Sequence, residues 1–424
     1  MFYQTFLFLI LILSAVDVIF GKCDGKKCGE CIEQSVFNNN PCNWCNRDSG
    51  CYVLSNSPTN PCKRAENVVE KSHCDDKFSR YDPQLSLKML LLSAAAYDPS
   101  DPQECLANSL PSENFQLQEV VTRICDDKGN KCSVYLAVSN VLKAIVIAFR
   151  GSMELDQALQ VFLKTLSKPK EKFLKDLDGE VQTYWKGGFD KLWPCLNEDI
   201  KRLVSAHPSY QVWVTGHSLG GAMASLASTW LSHYKIVPRK NLISYTFGMP
   251  RVGNLRYAYE HDLLVNNSWR VVNYDDAVPH FPNYMPNIIN GPYHHGIEAY
   301  YMAKAVSPNT KHRECHGKPY NEDLNCSFIT KPNVHDFTNH RVYFGIQIGT
   351  FWTTRCRVSS SRKKRDTVKM PHERFQYRSS VCSRYKYRNG SYILMAVVSE
   401  SSHKTASKLT AIVLVPLIFQ FVVR

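Results

Sequence analysis

The apolar positions of the chain fall into short continuous runs that predict buried strands. Ala144–Phe149 reads AIVIAF, and residues 211–215, Leu242–Phe247 and 269–274 are similar runs. A strand that is apolar at consecutive positions is typical of a parallel sheet covered on both faces. A helical pattern near residues 189–206 lies between the first two runs. The order of strand, helix and strand predicts an α/β fold with a mostly parallel central sheet and right-handed crossovers.

The first 21 residues have the pattern of a secretory signal peptide. An apolar run over residues 6–15 is followed by Asp17 and by the small residue Gly21. Such a run with small residues near a cleavage point predicts a signal peptide over residues 1–21. An N-terminal membrane anchor is the alternative, although the run is short for a membrane span.

Sixteen cysteines support export, and eight of them lie between Cys23 and Cys74. In an oxidising compartment such cysteines form disulfides, so residues 22–76 are predicted to be a disulfide-rich module. Two CxxC pairs, Cys28/Cys31 and Cys42/Cys45, leave a zinc site as the alternative. Glycosylation sequons that fit the same compartment occur at Asn266, Asn325 and Asn389.

The sequence of the cysteine-rich module resembles a known extracellular module. With Asn43-Trp44-Cys45 and Gly50-Cys51, it is similar to the plexin–semaphorin–integrin type. A module of this size is too small for a large apolar core, so cross-links stabilise it. The resemblance implies a structural or adhesive role.

The positive charge of the chain is concentrated in its C-terminal part. The net charge is +13, and residues 355–388 contain 12 Lys and Arg against 2 Asp and Glu. We therefore assign residues 356–424 to a basic tail, which argues against nucleic-acid binding by the rest of the chain. Residues 362–365 resemble a proprotein-convertase site, with a solvated basic linker as the alternative. The apolar residues 411–423 resemble a GPI-attachment signal, whose tail is removed.

A glycine-flanked serine is the strongest chemical signal in the chain. Gly216-His217-Ser218-Leu219-Gly220 matches G-x-S-x-G between an apolar strand and a helix of small residues. This context exposes a nucleophile at a sharp strand-to-helix turn. A serine nucleophile needs an imidazole base and a carboxylate, in the chain order Ser, Asp, His on this fold. Asp275-Asp276 follows a predicted strand, and His294-His295 comes later in the chain.

Five separated blocks resemble the class 3, or fungal-lipase-like, family. They span about 150 residues in the family order, inside a predicted α/β-hydrolase domain at residues 80–355. The blocks are Ala148-Phe149-Arg150-Gly151-Ser152, residues 214–222, residues 247–254, residues 276–282 and residues 294–298. The resemblance implies an α/β-hydrolase fold and ester hydrolysis without a metal or an organic cofactor.

The resemblance assigns a role to each matching residue. It implies that Ser218 is the nucleophile, Asp276 the acid and His294 the base, since Glu298 follows four positions later as in the family. Asp275 and His295 are the competing acid and base. The family's oxyanion hole implies a backbone donor at Leu219 and a second donor at Ser152.

The segment after the oxyanion block has one apolar face. Residues 153–175 repeat Leu and Phe at helical spacing, and in the family an amphipathic lid helix occupies this place. An ordinary helix packed on the sheet is the alternative. The sequence therefore predicts a secreted serine hydrolase that cleaves lipid esters at a lipid–water interface. A phospholipase or small-ester esterase with the same residues, and a non-catalytic surface adhesion protein, are the alternatives.

Overall fold

The computed structural model describes the greater part of the predicted catalytic domain and parts of both flanking regions. The described residues are 81–99, 101–126, 129–153, 170–285, 290–315, 322–323, 325–330, 337–357, 382–388 and 391–397, with segments between residues 23 and 68. The predicted signal peptide, residues 154–169 of the predicted lid, the sequence at 362–365 and the apolar residues 411–423 lie outside them. In the described part, no helix is both long and apolar enough to cross a membrane.

The N-terminal segments form a small cross-linked unit. Helix α1 (Cys28–Ile32) accompanies strands β1 (Ser35–Val36), β2 (Asn40–Cys45), β3 (Gly50–Val53) and β4 (Asn67–Val68). Disulfides join Cys23 to Cys42 and Cys31 to Cys51. Each bond takes one cysteine from a different CxxC pair, so the thiolates that a zinc site would need are oxidised. The alternative of a zinc site is therefore wrong for these two pairs.

A mixed sheet organises the rest of the molecule. Among the described residues it has ten strands, with the mutually parallel strands in its centre. In spatial order they are β16 (His312–Glu314), β15 (Ile297–Tyr301), β13 (Asn267–Asn273), β11 (Leu242–Phe247), β10 (Gln211–His217), β7 (Ala144–Phe149), β6 (Lys131–Ser139), β5 (Gln116–Ile124), β19 (Cys382–Arg388) and β20 (Ser391–Val397). Strands β7, β10, β11, β13 and β15 are the parallel ones. The predicted fold class is confirmed.

Smaller strands border this sheet. A second sheet contains β8 (Lys170–Lys172), β9 (Glu180–Gln182), β12 (Gly253–Asn254) and β14 (Pro292–Tyr293). A short hairpin contains β17 (Val342–Tyr343) and β18 (Ile346–Gln347). Strand β8 shows that the last part of the predicted lid segment is extended.

Helices cover both faces of the central sheet. They are α2 (Pro83–Ala95), α3 (Pro102–Ser109), α4 (Thr183–Leu192), α5 (Asn197–Ala206), α6 (Leu219–His233), α7 (Leu255–Leu264) and α8 (Thr338–Arg341). Asp82 and Asp101 cap α2 and α3, and each helix has proline at its first position, where no N–H is needed. The helix predicted near 189–206 is two helices, because Pro194 interrupts it in a short 3₁₀ turn.

The central strands are apolar on both faces because each face is covered by a different helix. Val212 and Val214 of β10 lie in the cluster that contains α6, whereas Trp213 lies in the cluster that contains α2. Tyr135 donates a hydrogen bond to the Leu92 carbonyl of α2. The continuous apolar runs of the sequence are thus explained by a sheet between two helical layers.

The C-terminal part of the catalytic unit is cross-linked to its beginning. Cys356, which follows the 3₁₀ helix Ile348–Thr354, forms a disulfide with Cys105 of α3. Further disulfides join Cys125 to Cys132 and Cys315 to Cys326. The Cys105–Cys356 bond holds the segment that contains α8, β17 and β18 against α3.

Two features change the expectations for glycosylation and for the tail. Asn266 is buried directly before β13, so its sequon is inaccessible in the folded chain, whereas Asn325 is exposed. Asn389 lies outside the described residues. Strand β19, within the predicted tail, pairs with β5 at the edge of the sheet, so residues beyond 355 contribute to it.

Candidate active site

Ser218 lies at the sharp turn between β10 and α6. Its backbone has φ 58° and ψ −127°, a strained conformation for a residue with a side chain. The turn is held by a hydrogen bond from the Ser218 N–H to the carbonyl of Phe247. A Cβ at Gly220 would collide with the carbonyl oxygen of Phe149, so only glycine lets α6 start this close to β7. The sequence-predicted nucleophile therefore has the geometry that its motif requires.

The predicted oxyanion donors border the same turn. Leu219 begins α6, so its N–H is one of those that have no partner within the helix. Ser152 follows β7, whose C-terminal residue packs against Gly220. Backbone donors that converge beside a nucleophile stabilise a developing oxyanion. The neighbouring Arg150 donates instead to the carbonyl of Lys131, which is a contact within the sheet.

Asp276 lies three residues beyond the C-terminal end of β13 and is fully buried. It accepts hydrogen bonds from the backbone N–H of Val278 at 2.9 Å and from the hydroxyl of Tyr343 at 2.6 Å. Nδ1 of the His340 imidazole lies 3.0 Å from Oδ1 and 2.9 Å from Oδ2 of Asp276, within hydrogen-bond distance of both oxygens. The competing carboxylate, Asp275, contacts the side-chain amide of Asn339 instead.

The acid carries its charge at neutral pH despite burial. Burial alone would raise the pKa of Asp276, but the adjacent His340 and the hydrogen bonds from His340, Tyr343 and Val278 outweigh it and hold the pKa below its ordinary value. Burial, and then the nearby Asp276, raise the pKa of Tyr343 well above its ordinary value. The phenol therefore stays protonated and donates to the carboxylate.

His340, on helix α8, is the imidazole that the structure places beside the acid. Its ring is completely buried and lies 4.5 Å, between ring centres, from that of His217, the residue before the nucleophile. Its Nε2 has no hydrogen-bond partner among the atoms that the structure describes. Gly248, at φ 56°, passes so close that a Cβ there would lie 2.7 Å from Asp276 Oδ2 and from His340 Nδ1. The acid–imidazole pair is thus enclosed on several sides.

The prediction of His294 as the base is wrong. The Nε2 of His294 donates to the carbonyl of Pro279 at 2.8 Å, and its backbone N–H donates to Glu322. Burial, followed by the charges of Arg270 and Arg251, lowers the pKa of His294 well below its ordinary value. An imidazole beside two cations is a poor proton acceptor. His294 supports the loop that follows the acid.

The competing candidate, His295, is also far from this role. Its Nε2 contacts the hydroxyl of Ser225 on α6 at 2.7 Å, and its ring lies 3.9 Å from that of His261. Glu298, on which the choice of His294 rested, is paired with Arg270 at 3.2 Å. These contacts belong to a buried polar network that joins α6 and α7 to strands β13 and β15.

Strand direction explains why His294 cannot take the place of His340. Ser218 and Asp276 follow the C-terminal ends of parallel strands, which share one edge of the sheet. His294 instead precedes β15, which is parallel to β13, and so stands at the N-terminal end of its strand. His340 returns to the functional edge through the segment after β16. The only local feature of the sequence that distinguishes His340 is the aromatic pair Tyr343 and Phe344, which follows it closely.

This arrangement has the components of acyl-transfer chemistry. A strained serine, a buried imidazole oriented by an ionised carboxylate, and the backbone N–H groups of the predicted oxyanion residues belong to one edge of the sheet. These are the roles by which a nucleophile, general base and oxyanion site are recognised. All are supplied by protein groups.

Comparisons with known proteins give a consistent result. A family model described as lipase (class 3) matches residues 146–285. A lipase of Caenorhabditis elegans is 34% identical over 308 residues, which is 67% of this chain and 85% of that protein. A secreted mono- and diacylglycerol lipase A of Penicillium cyclopium is 34% identical over 154 residues, 35% of this chain and 46% of the relative. The matched residues include the turn at Ser218 and Asp276.

Solved structures agree with the sequence relatives. Lipase II of Rhizopus niveus superposes with a TM-score of 0.54 at 26% identity, over 63% of this chain and 96% of that protein. The likeness covers most of the fungal protein, so its fold corresponds to the central sheet and helices described above.

Proposed function

Because this chain belongs to the class 3 lipase family, we propose that it hydrolyses carboxylic esters of lipids, with Ser218, His340 and Asp276 as its catalytic triad. The observation that carries the assignment of residues is the buried contact between Asp276 and His340, whose Nε2 is left open beside the nucleophile turn. A buried imidazole held in this way is suited to general base catalysis.

The proposed reaction passes through an acyl-enzyme. The Oγ of Ser218 attacks the ester carbonyl while Nε2 of His340 accepts its proton. Asp276 stabilises the resulting imidazolium, and the N–H groups of Leu219 and Ser152 receive the oxyanion. His340 then donates the proton to the leaving alcohol, and a water activated by the same Nε2 hydrolyses the acyl-enzyme.

The decisive experiment compares the purified protein with its Ser218→Ala variant. Turnover of triolein, phosphatidylcholine and a short-chain soluble ester is measured, together with labelling by a fluorophosphonate probe. We expect a Ser218-dependent adduct, highest turnover on the acylglycerol, and a loss of at least about 10³-fold in the variant. Preference for phosphatidylcholine would make the protein a phospholipase. Absence of both adduct and turnover would contradict the hydrolase and favour a binding protein.

We further propose that the protein acts outside the cell, at a lipid surface. Five disulfides among the described residues and the word "secreted" in the name of the Penicillium relative support export. Residues 1–21 would be the signal peptide, residues 22–76 an adhesive plexin–semaphorin–integrin-like module and residues 80–355 the catalytic domain. Residues 356–424 would be a tail that adds β19 and β20 to the central sheet and ends in a GPI signal. Release of the protein from cells by a phosphatidylinositol-specific phospholipase C tests the anchor.

A further inference from the structure

Two buried side chains outside the proposed triad connect its base to the oxyanion loop. The hydroxyl of Tyr97 lies 2.8 Å from Nδ1 of His217, and Nε2 of His217 lies 2.8 Å from the backbone carbonyl of His340. The Tyr97 hydroxyl also packs closely against Gly151, the residue before Ser152. A continuous path therefore runs from the oxyanion loop to the segment that carries the base.

The chemistry of these groups fixes the direction of each hydrogen bond. The carbonyl of His340 can only accept, so Nε2 of His217 must carry a proton and donate. In the neutral ring Nδ1 then accepts from the Tyr97 hydroxyl. Every donor in the path thus faces an acceptor.

His217 is held in the neutral state that this path requires. Burial, and then the proximity of His340, lower the pKa of His217 to about 3. During ester hydrolysis His340 becomes a cation, and its ring lies 4.5 Å from that of His217. A neutral neighbour avoids repulsion with this cation, whereas a protonated His217 would oppose its formation.

The path is also confined sterically. A Cβ at Gly151 would collide with the Tyr97 hydroxyl and would lie 2.6 Å from the carbonyl oxygen of His217. Tyr97 and His217 are both completely buried. The oxyanion loop, the phenol and the nucleophile turn therefore touch directly.

We propose that Tyr97 and His217 are positioning residues that set the distance between the base His340 and the oxyanion loop at Gly151 and Ser152. The inference rests on the proposed function, because it assigns these residues a part in the same hydrolysis. Misplacement of catalytic groups by a fraction of an ångström lowers the rate of the chemical step more than it lowers substrate binding. The two side chains would act as a unit, since each completes the hydrogen bonds of the other.

The test compares Tyr97→Phe, His217→Leu, the double variant and His217→Gln, assayed on a soluble ester. The amide nitrogen of Gln can take the place of Nε2 and donate to the His340 carbonyl, so it is the conservative replacement. Matched controls are Tyr135→Phe, which loses a buried tyrosine hydrogen bond to Leu92, and His261→Gln, which replaces another buried histidine with a pKa of about 3. Melting temperature is measured for every variant.

We expect kcat to fall about 10-fold in Tyr97→Phe and in His217→Leu, with KM changed less than about 2-fold. The double variant should lose little more than either single variant, and His217→Gln should recover most of the activity. The controls should lower the melting temperature similarly and leave kcat unchanged. Additive losses of kcat in the double variant would overturn the inference. So would control variants whose kcat falls in proportion to their loss of melting temperature. Failure of the proposed function is separate, because the wild-type protein would then show no Ser218-dependent turnover.

Discussion

The phenol of Tyr343 donates a hydrogen bond to Asp276, although Tyr343 is not one of the three residues of the proposed triad. Its hydroxyl lies 2.6 Å from Oδ2 of Asp276 in a site without solvent contact. A hydrogen bond to a buried charge contributes about 1.5–3 kcal/mol, because the charge has no water to replace the donor. Asp276 would therefore orient His340 less firmly if the phenol lost its hydroxyl.

Replacement of Tyr343 by Phe is expected to lower kcat about 10-fold with little change in KM. The remaining donors, His340 and Val278, keep the carboxylate in place but do not replace the lost bond. The matched control is Tyr245→Phe, which removes a buried hydroxyl that accepts from the Asp82 N–H far from the acid. Steady-state kinetics on a soluble ester check the prediction, and equal kcat values for the two variants would contradict it.

Single residues were predictable from the sequence where a local pattern defines their geometry. Ser218 lies in a turn that five neighbouring positions specify, and Asp276 comes shortly after a recognisable strand. His340 has no such local pattern, because its place depends on how a later segment returns to the sheet. Sequence spacing therefore favours His294 as the base. Spacing alone does not reveal that this histidine precedes its strand, whereas Ser218 and Asp276 follow theirs.

Elements were predicted best where both faces are buried. Strands β7 and β11 have the predicted bounds, because consecutive apolar residues leave no other placement. The break at Pro194 was missed, since the helical spacing of apolar residues continues across it. The pairing of β19 with β5 is a long-range contact, and the local sequence of residues 382–388 does not specify it.

Loss of the Cys105–Cys356 disulfide is expected to lower both stability and activity. The bond closes a separation of 251 residues, and in the chain-entropy model its removal costs about 5.5 kcal/mol. It also anchors the segment that carries His340, so kcat should fall in the Cys105→Ser/Cys356→Ser variant. Urea unfolding and ester turnover provide the measurements.

The control for this variant is the disulfide between Cys125 and Cys132, which spans a separation of seven residues and joins the end of β5 to β6. Its double Ser variant should lose about 2 kcal/mol and keep its kcat. A Cys105/Cys356 variant as active and as stable as this control would show that the base segment needs no anchor.

The whole molecule is expected to lose stability as pH falls below about 6.5. Burial lowers the pKa of His217 and His261 to about 3 and that of His280 to about 4, and it lowers the pKa of His294 and His295 well below the ordinary value. The unfolded chain binds these protons near pH 6.5, whereas the folded chain does not. The stabilisation is therefore fully present above pH 6.5. Below that pH the free energy of unfolding falls by about 1.4 kcal/mol per pH unit for each histidine.

Urea unfolding at pH 7.5, 6.0 and 5.0 measures this dependence. The His261→Gln variant removes one of these histidines, so its unfolding free energy should fall less between pH 6.0 and 5.0. An unfolding free energy that stays constant from pH 7.5 to 5.0 would contradict the buried neutral state of these side chains.

One exposed apolar side chain is connected to the site and is expected to contact a lipid surface. Val306 is 72% exposed and follows Ala305 in the chain. The N–H of Ala305 donates to the side chain of Asn273, and that side chain donates to the carbonyl of Asn339, the residue before His340. We expect Val306→Asp to reduce turnover of emulsified triolein about 3-fold or more and to leave a soluble ester unaffected. Val141, 61% exposed in the β6–β7 turn at the opposite edge, is the control. Equal effects of Val306→Asp and Val141→Asp would exclude this orientation.

The identity of the general base is tested most directly by comparing His340→Ala with His294→Gln in fluorophosphonate labelling and ester turnover. With His340 as base, its variant should lose at least about 10³-fold in kcat and label very slowly. His294→Gln can still donate to the Pro279 carbonyl and should remain within about 10-fold of the wild-type protein. A fully active His340→Ala protein, or an inactive but folded His294→Gln protein, would contradict the arrangement described here.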